Sequence, residues 1–433
     1  MGKISRSQGA ASEKRRVCII GGGASGLIAS IEAARYGAEV TLLEKEKRVG
    51  RKLLATGNGR CNYANVYTEP RHFHGNDPAI VQDVLSRIPV SEVLDYFHQM
   101  GITPRIEEDG KVFPYSLQGS NVLDLLRYEM ERLDVKVLTD SRVVLLKKES
   151  DRWQIKTQQD RMYTADKLIL ATGGKAGSQL GADDSGCKLA ESMGHQVTPL
   201  SPALVQIRLD ADWLKSLKGV KWQGKASIAE NGTPLRQEKG ELLFTEYGIS
   251  GPPILQLSRL VNRKNAFGQC IRIHLLPEWS PEQIREELMN RFHLDPDKPA
   301  DVCLLGLFHK RLIPVLLQEA GVTGCQQPAH HVPTHVIQRL IRLCEAWEIP
   351  VKGTLSWKEA QVTAGGIDTR EIKSGSMESK IAAGLHITGE VLDVDGDCGG
   401  YNLYWAWATG ILAGRHAAGY PEALGKEEPN DPH

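Results

Sequence analysis

Val17-Cys18-Ile19-Ile20-Gly21-Gly22-Gly23-Ala24-Ser25-Gly26 is the stretch whose reading decides the fold. Its four apolar residues read as a buried parallel strand, and the glycines follow with no gap. Leu27, Ile28, Ile31 and Ala34 then recur as the apolar face of a helix that runs to Gly37. Val40-Thr41-Leu42-Leu43 reads as a second buried strand, ending at Glu44. This is a βαβ unit with a Gly-x-Gly-x-x-Gly turn in its first connection, the pattern of a dinucleotide site. Gly21 allows the tight turn, Gly23 lets backbone approach a pyrophosphate, and Gly26 lets the helix pack closely on the strand. The helix start, with Ala24 and Ser25, offers unpaired N–H groups and a partial positive charge to phosphates. Glu44 stands where a carboxylate accepts hydrogen bonds from ribose hydroxyls, with Lys45 beside it. An anion there would repel a 2′-phosphate, so the expected ligand is FAD or NAD rather than NADP. The bland alternative is a glycine turn without a ligand, against which the strand, helix and acidic residue all stand in place.

Outward from this unit, Arg51-Lys52-Leu53-Leu54-Ala55-Thr56-Gly57-Asn58-Gly59-Arg60-Cys61-Asn62 is too rich in glycine and polar groups for regular structure throughout. It reads as a ligand loop along the flavin end of an FAD. Lys52, Thr56, Gly57, Gly59, Arg60, Cys61 and Asn62 are its candidate contacts, against the alternative of a solvated surface loop. Lys167-Leu168-Ile169-Leu170-Ala171-Thr172-Gly173-Gly174 is a second buried strand-and-glycine signal. Thr172 and Gly173 turn the chain beside the cofactor, and the pairing of two such signals favours FAD over NAD. Val143, in a β-meander that also includes Trp153 to Thr157, is the candidate for a backbone contact to adenine. Near the C-terminus, Leu385 to Asp393 reads as a strand ending in an acid, and Gly396 to Gly400 as a turn into a helix starting near Asn402. Asp393 would accept from the ribityl chain. Glu390, Gly400, Asn402 and Leu403 join the site, the helix start facing the flavin carbonyl where reduction places negative charge.

The 433 residues carry a formal net charge of +0, so no global electrostatic attraction to nucleic acid or membrane follows. The eight cysteines include no CxxC and no metal-ligand spacing, and read as reduced thiols of a cytoplasmic protein. No signal peptide is visible, and no uncharged run is both long and apolar enough to span a bilayer. The expected division is 1–14 as a disordered arm, 15–198 as the first part of an FAD-binding domain, 199–278 as a β-barrel substrate domain and 279–350 as a helical domain. The chain then returns through the β-domain over 351–362 and completes the FAD domain over 363–424, leaving 425–433 as a disordered tail. Short alternating stretches at 203–207, 226–228, 241–245 and 271–273 carry the barrel reading. Helical periods from Ile284 through Val302 to Leu317, and on to Trp347, carry the helical one. Residues 201–275 hold eleven Lys/Arg against six Asp/Glu, a mildly basic surface.

These segments together resemble a family of bacterial NAD(P)/FAD-dependent oxidoreductases that includes aminoacetone oxidase-like and 3-dehydro-bile-acid Δ4,6-reductase-like flavoproteins. Three pieces carry the resemblance: Gly50 to Lys52 with Thr56 to Asn62; Gly240 to Thr245 with Gly248 to Pro252; and Gly389 to Asp393 with Gly399 to Leu403. It implies an α/β fold, with an FAD-binding Rossmann-like domain of the glutathione-reductase type interrupted by a β-barrel domain and a small helical domain. Members of the family resemble oxidases of small amines, reducers of conjugated C=C bonds in steroid acids, and reducers of uridine in ribosomal RNA. The leading expectation is an ene-reductase acting on a conjugated enone, a 3-oxo steroid or bile-acid-like molecule. The alternatives are an rRNA dihydrouridine synthase, a small-amine oxidase and a non-catalytic FAD-binding scaffold. With a single Gly-x-Gly-x-x-Gly in the chain, NADH or NADPH would visit transiently as electron donor. The expected partner is a small-molecule substrate, not a membrane, while the basic arm and barrel leave ribosomal RNA open. Cys61, Cys398 and Tyr401 are candidate proton donors, each with a packing role as the alternative, and no catalytic acid is assigned.

Overall fold

The computed structural model describes residues 14–261 and 268–420, so the expected disordered tails fall almost wholly outside it. The chain divides into two compact units, one formed by residues up to Leu200 together with those from Gly365 onward, the other by Ser201–Ala364.

The first unit is built on β1 (Arg16–Ile20), α1 (Ala24–Arg35) and β2 (Glu39–Leu43), the predicted βαβ unit. Farther along come β3 (Phe73–His74), β4 (Lys136–Leu138) and β5 (Lys167–Leu170), then, beyond the second unit, β6 (Leu385–Ile387), β7 (Asp395–Gly396) and α2 (Tyr401–Ala418). A five-stranded sheet runs β6-β5-β1-β2-β4, and every neighbouring pair in it is parallel. Parallel strands need both faces covered, which is why β1 and β5 read as unbroken apolar runs. The meander of Val143–Glu149, Arg152–Thr157 and Met162–Ala165 forms a separate antiparallel sheet. Helix α2 is apolar on all sides because it is buried on all sides, with Tyr404, Trp405 and Trp407 inside the core. It crosses α1 where both helices are small: a Cβ on Gly410 would lie 2.6 Å from the Ser25 carbonyl oxygen, and one on Gly414 would lie 2.6 Å from that of Ala29.

The second unit contains a closed antiparallel barrel. Its strands follow the order Ile207–Leu209, Gly248–Ser250, Thr233–Thr245, Lys221–Glu230, Gln269–His274 and Trp347–Thr354. Helices Pro281–His293, Ala300–Leu304, Leu312–Ala320 and Thr334–Ala346 share one apolar core with the barrel, so barrel and helices form one packed body.

Four local expectations change. The last helix of this body stops at Ala346, and Trp347 opens a strand instead: it pairs with Ile273 to close the barrel and packs against Trp213 at 4.7 Å. The stretch 203–207 splits into two strands around Leu204, whose φ is +49°. The run from Val302 to Leu317 is two helices, not one. The strand predicted to reach Asp393 ends at Ile387, because the chain turns over the first turn of α1. Gly389 N–H donates to Thr409 Oγ1 on α2 at 3.0 Å, and Gly389–Val391 forms a 3-10 turn.

Candidate functional site

At the end of β1, Gly21 N–H donates to Leu43 O at 2.9 Å, and the first bond inside α1 runs from Leu27 N–H to Gly23 O. The N–H groups of Ala24, Ser25 and Gly26 therefore have no partner within the helix and point off its N-terminus. No atom lies within 4 Å of the position a Cβ on Gly23 would take, whereas one on Gly26 would collide with the Gly21 carbonyl oxygen. Open space over unpaired N–H groups at a helix start suits a phosphate. The Glu44 carboxylate lies beneath this turn. Its Oε2 accepts from Gly22 N–H at 2.6 Å and its Oε1 from Glu46 N–H at 2.8 Å. Burial pushes its pKa up, and the two N–H bonds pull the other way. The backbone thus takes one lone pair on each oxygen, and the second pair on each is what a ribose hydroxyl could use. Lys45 turns to Asp183, Nζ to Oδ2 at 2.6 Å, rather than standing alone beside Glu44. Burial would raise the Asp183 carboxyl, but Lys45 and the hydroxyl and N–H of Ser185 hold it well below the usual range. Val143 is buried and opens its strand at a bulge.

The segment expected to be a ligand loop is more regular than its composition suggests. Arg51–Ala55 is a short helix and Thr56–Gly59 a 3-10 turn in which Gly57 and Asn58 are left-handed. Lys52 reaches across the fold to Glu390, Nζ to Oε2 at 2.7 Å. Thr56 Oγ1 donates back to Leu53 O, so its hydroxyl serves the turn. Arg60 lies 4.3 Å over the Phe113 ring and pairs with Glu107, on the exposed side of the loop. Cys61 is completely buried and its thiol is pushed up to about 12 by that burial. Asn62 comes to the start of α2: a Cβ on Gly400 would lie 2.7 Å from Asn62 Oδ1, which is buried without a hydrogen-bond partner.

At α2 the first helical bond runs from Tyr404 N–H to Gly400 O, so the N–H groups of Tyr401, Asn402 and Leu403 face outward. The Asn402 side chain closes the preceding loop instead of reaching out: its Oδ1 accepts from Gly396 N–H and its Nδ2 donates to Gly396 O, both at 2.8 Å. Asn402 and Leu403 can therefore serve the site through their backbone. Asp393 is buried, its pKa is raised by that burial, and its Oδ2 has no hydrogen-bond partner. Thr172 borders Gly21 through its backbone, while its hydroxyl is turned against Gly186 and is likewise unpartnered. Beside Gly173 there is open space. Cys398 is raised by burial, and Tyr401 is pushed up to about 12 with its ring stacked under His72 at 4.4 Å.

One part of this region is absent from the sequence reading. The two-residue strand β3 pairs antiparallel with β7, and His74 Nε2 lies 2.8 Å from Asp397 Oδ1. Asp397 N–H donates to His72 O, and a Cβ on Gly75 would collide with the Asp393 carbonyl oxygen. Residues 72–76 thus form a strap along the loop that precedes α2. A strand of two residues has no periodicity to read, and His74 is 323 positions from its partner. Among the described residues, no group of three or more His, Cys, Asp or Glu is placed to hold a metal ion.

Residues 15–416 match the family model described as HI0933-like protein Rossmann domain. The chain belongs to this HI0933-like family. Its first unit has the Rossmann-type FAD-binding fold, and the open space at Gly23 and the unpartnered Asp393 and Asn62 oxygens fit such a ligand. Among the similar proteins is the 3-dehydro-bile acid delta(4,6)-reductase of Clostridium scindens, 40% identical over 410 residues, 94% of this chain and 100% of that one. The ribosomal RNA dihydrouridine synthase of Escherichia coli is 32% identical over 399 residues, 92% of this chain and 96% of its own. That of Haemophilus influenzae is 31% identical over 408 residues, covering 90% and 95%. Among the described residues of this HI0933-like chain, no helix is long and apolar enough to cross a membrane.

Proposed function

We propose that this HI0933-like protein is an FAD-dependent oxidoreductase that reduces a conjugated C=C bond of a small enone, with a 3-oxo steroid or bile-acid-like molecule as substrate and NADH or NADPH as a transient donor. The observation that carries the reading is the 40% identity to a bile-acid reductase across 94% of the chain and the whole of that relative. Bound FAD would supply two-electron hydride chemistry at its ring. The protein's own groups divide the work of holding it. The N–H groups at the start of α1 take the pyrophosphate, Glu44 the adenosine ribose, and the backbone at Val143 the adenine. Asp393 takes the ribityl hydroxyls through its unpartnered oxygen. The N–H groups at the start of α2 would hold the ring's pyrimidine edge, where the helix dipole would favour the electron-rich, reduced form. Asn62, beside Gly400, adds an amide to the same edge. Lys52 and Glu390, joined at 2.7 Å, hold the ligand loop to the last turn.

A second reading is supported by a separate observation, the two rRNA dihydrouridine synthases at 32% and 31% identity. Uridine reduction and enone reduction share one logic, in which hydride goes to the electron-poor alkene carbon and a proton to its neighbour. One anaerobic experiment separates them. The purified protein, loaded with FAD, is bleached with NADH or NADPH, and a 3-oxo-4-ene steroid or ribosomal RNA is added. Return of the yellow absorbance with the steroid alone supports the enone reading, and return with RNA alone replaces it. Failure of the protein to bind FAD refutes both.

A further inference from the structure

We infer that His74, held by Asp397, is the proton donor that completes the reduction; the inference rests on the ene-reductase reading above. Reduction of a conjugated alkene needs two deliveries. Hydride from the reduced flavin goes to one carbon, and a proton must reach its neighbour. In balance, the alkene gains H⁻ and H⁺, the nicotinamide donor is oxidised, and the acid that gave the proton recovers it from solvent.

The groups at the start of α2 narrow the choice of acid. Cys61 has no exposed surface, so no substrate reaches it. Cys398 and Tyr401 are raised by burial, and Tyr401 has a ring face covered by His72. His74 is different in three respects. Its side chain is 19% exposed, while that of Asp397 beneath it is 8% exposed, so the imidazole spans from a buried carboxylate to the surface. It lies on β3, which is hydrogen-bonded to β7, and β7 in turn is locked to the first turn of α2 through Asn402. The next residues of the strap, Gly75 and Asn76, rest on Asp393, Asn76 through a backbone hydrogen bond. The histidine is thus tied to both elements proposed to hold the flavin end of the cofactor, Asp393 at the ribityl chain and the α2 start at the ring. Imidazole is the side chain best suited to give and recover a proton near neutral pH. A carboxylate on one ring nitrogen fixes the orientation of the ring. Asp397 is then a positioning residue: it touches no substrate and acts through the ring.

The test uses FAD-loaded protein and separates the two half-reactions. His74→Ala should slow alkene-driven reoxidation of the flavin by about 10²- to 10⁴-fold, with flavin reduction by the nicotinamide moving less than about twofold. Free imidazole in the buffer should restore part of the lost rate, which a purely structural role would not allow. His74→Gln, whose amide can still meet Asp397, replaces the alanine variant if that fails to fold, and it should lose the same step. Asp397→Asn should lower kcat more than it raises KM. A readout independent of turnover is the ¹⁵N spectrum of the ring: one tautomer in the FAD-loaded protein without substrate, and a mixture in Asp397→Asn. If wild type is reoxidised by an enone and His74→Ala keeps pace with it, the proton-donor assignment falls and the ene-reductase reading stands. If no alkene reoxidises wild type, that reading falls and takes the assignment with it. An equal loss in His72→Gln would move the effect to strap packing on Tyr401 and overturn the assignment.

Discussion

Glu44 offers the sharpest test of how the first glycine turn is held. Its carboxylate accepts two backbone N–H groups, from Gly22 at 2.6 Å and Glu46 at 2.8 Å, in a position only 8% exposed. Hydrogen bonds to ionised acceptors contribute about 1.5–3 kcal/mol each. Two of them give a gross contribution of roughly 3–6 kcal/mol, from which the cost of burying the charge must be taken. That cost is visible in the upward direction of the Glu44 pKa. Glu44→Ala should therefore destabilise the protein by about 2–4 kcal/mol, leaving two buried donors without their charged partner. Glu44→Gln keeps one carbonyl oxygen and should cost about half as much. The local measurement is amide hydrogen exchange at Gly22 and Glu46. With tenfold per 1.4 kcal/mol, their exchange in Glu44→Ala should quicken by roughly 30- to 1000-fold. Because burial raises the folded pKa, the carboxyl's contribution is fully present below the free-glutamate value near ~4.3 and shrinks as pH rises through the folded value. Glu44→Gln should lack that slope. If both amides exchange in Glu44→Ala as they do in wild type, Glu44 does not hold the turn and the construction of the nucleotide end is wrong.

Asp393→Asn should stabilise the FAD-free protein by about 1 kcal/mol at pH 7, since it removes a buried charge that lacks a full set of partners, while weakening FAD binding about tenfold; a less stable FAD-free variant in urea would refute this. Lys45→Met bears on Asp183, whose folded pKa is depressed, so the ion pair's contribution is present above the free-aspartate value near ~3.9 and lost as pH falls through the folded value. The wild-type advantage should be about 1 kcal/mol at neutral pH, discounted for partial exposure, and should vanish in acid when followed by urea denaturation. Gly410→Ala should destabilise by about 1–3 kcal/mol, because its Cβ would lie 2.6 Å from the Ser25 carbonyl oxygen. Helix propensity alone would have alanine stabilise α2 by about 1 kcal/mol, so the sign of the shift in urea midpoint decides between packing and propensity.

What the sequence revealed of this fold was what lies close together in the chain. Residues 17–44 declare a βαβ unit because strand, turn and helix follow without interruption, each with its own period. The loop from Lys52 to Asn62 reads as a ligand loop from its composition, but the 3-10 turn at Thr56–Gly59 depends on hydrogen bonds that composition does not display. Trp347 read as the end of a helix because its spacing fits one; only pairing with Ile273 and packing against Trp213 make it a strand. The strand into Asp393 was cut short for a similar reason, since Gly389 answers to Thr409 and to α1 rather than to its neighbours in sequence. Side-chain partners were harder still. The positions of Glu44, Lys45 and Asn402 were readable, yet what each one bonds was not, because a carboxylate, an ammonium and an amide will serve backbone or ion-pair partners as readily as a ligand.

The candidate site follows one plan, in which the parallel sheet supplies the address and distant segments supply the chemistry. The turn after β1 and the turn after β5 meet at Gly21 and Thr172. Ligands in such sheets lie beyond the carboxyl ends of the strands. Around that edge, the side chains that do not bond locally are contributed by segments hundreds of positions apart: Asn62 beside Gly400, Lys52 on Glu390, His74 on Asp397. Each pair joins a loop before the second unit to a turn after it. The insertion of the second unit between Leu200 and Gly365 leaves these pairings intact, because both halves of every pair belong to the first unit. Changes confined to the second unit therefore leave these pairings, and the cofactor grip proposed for them, in place. That is consistent with one family including relatives named for a bile acid and for ribosomal RNA. If the division of labour holds, Glu44→Ala and Asp393→Asn should weaken FAD binding by the same factor whether enone or RNA is the substrate, and a substrate-dependent factor would break it.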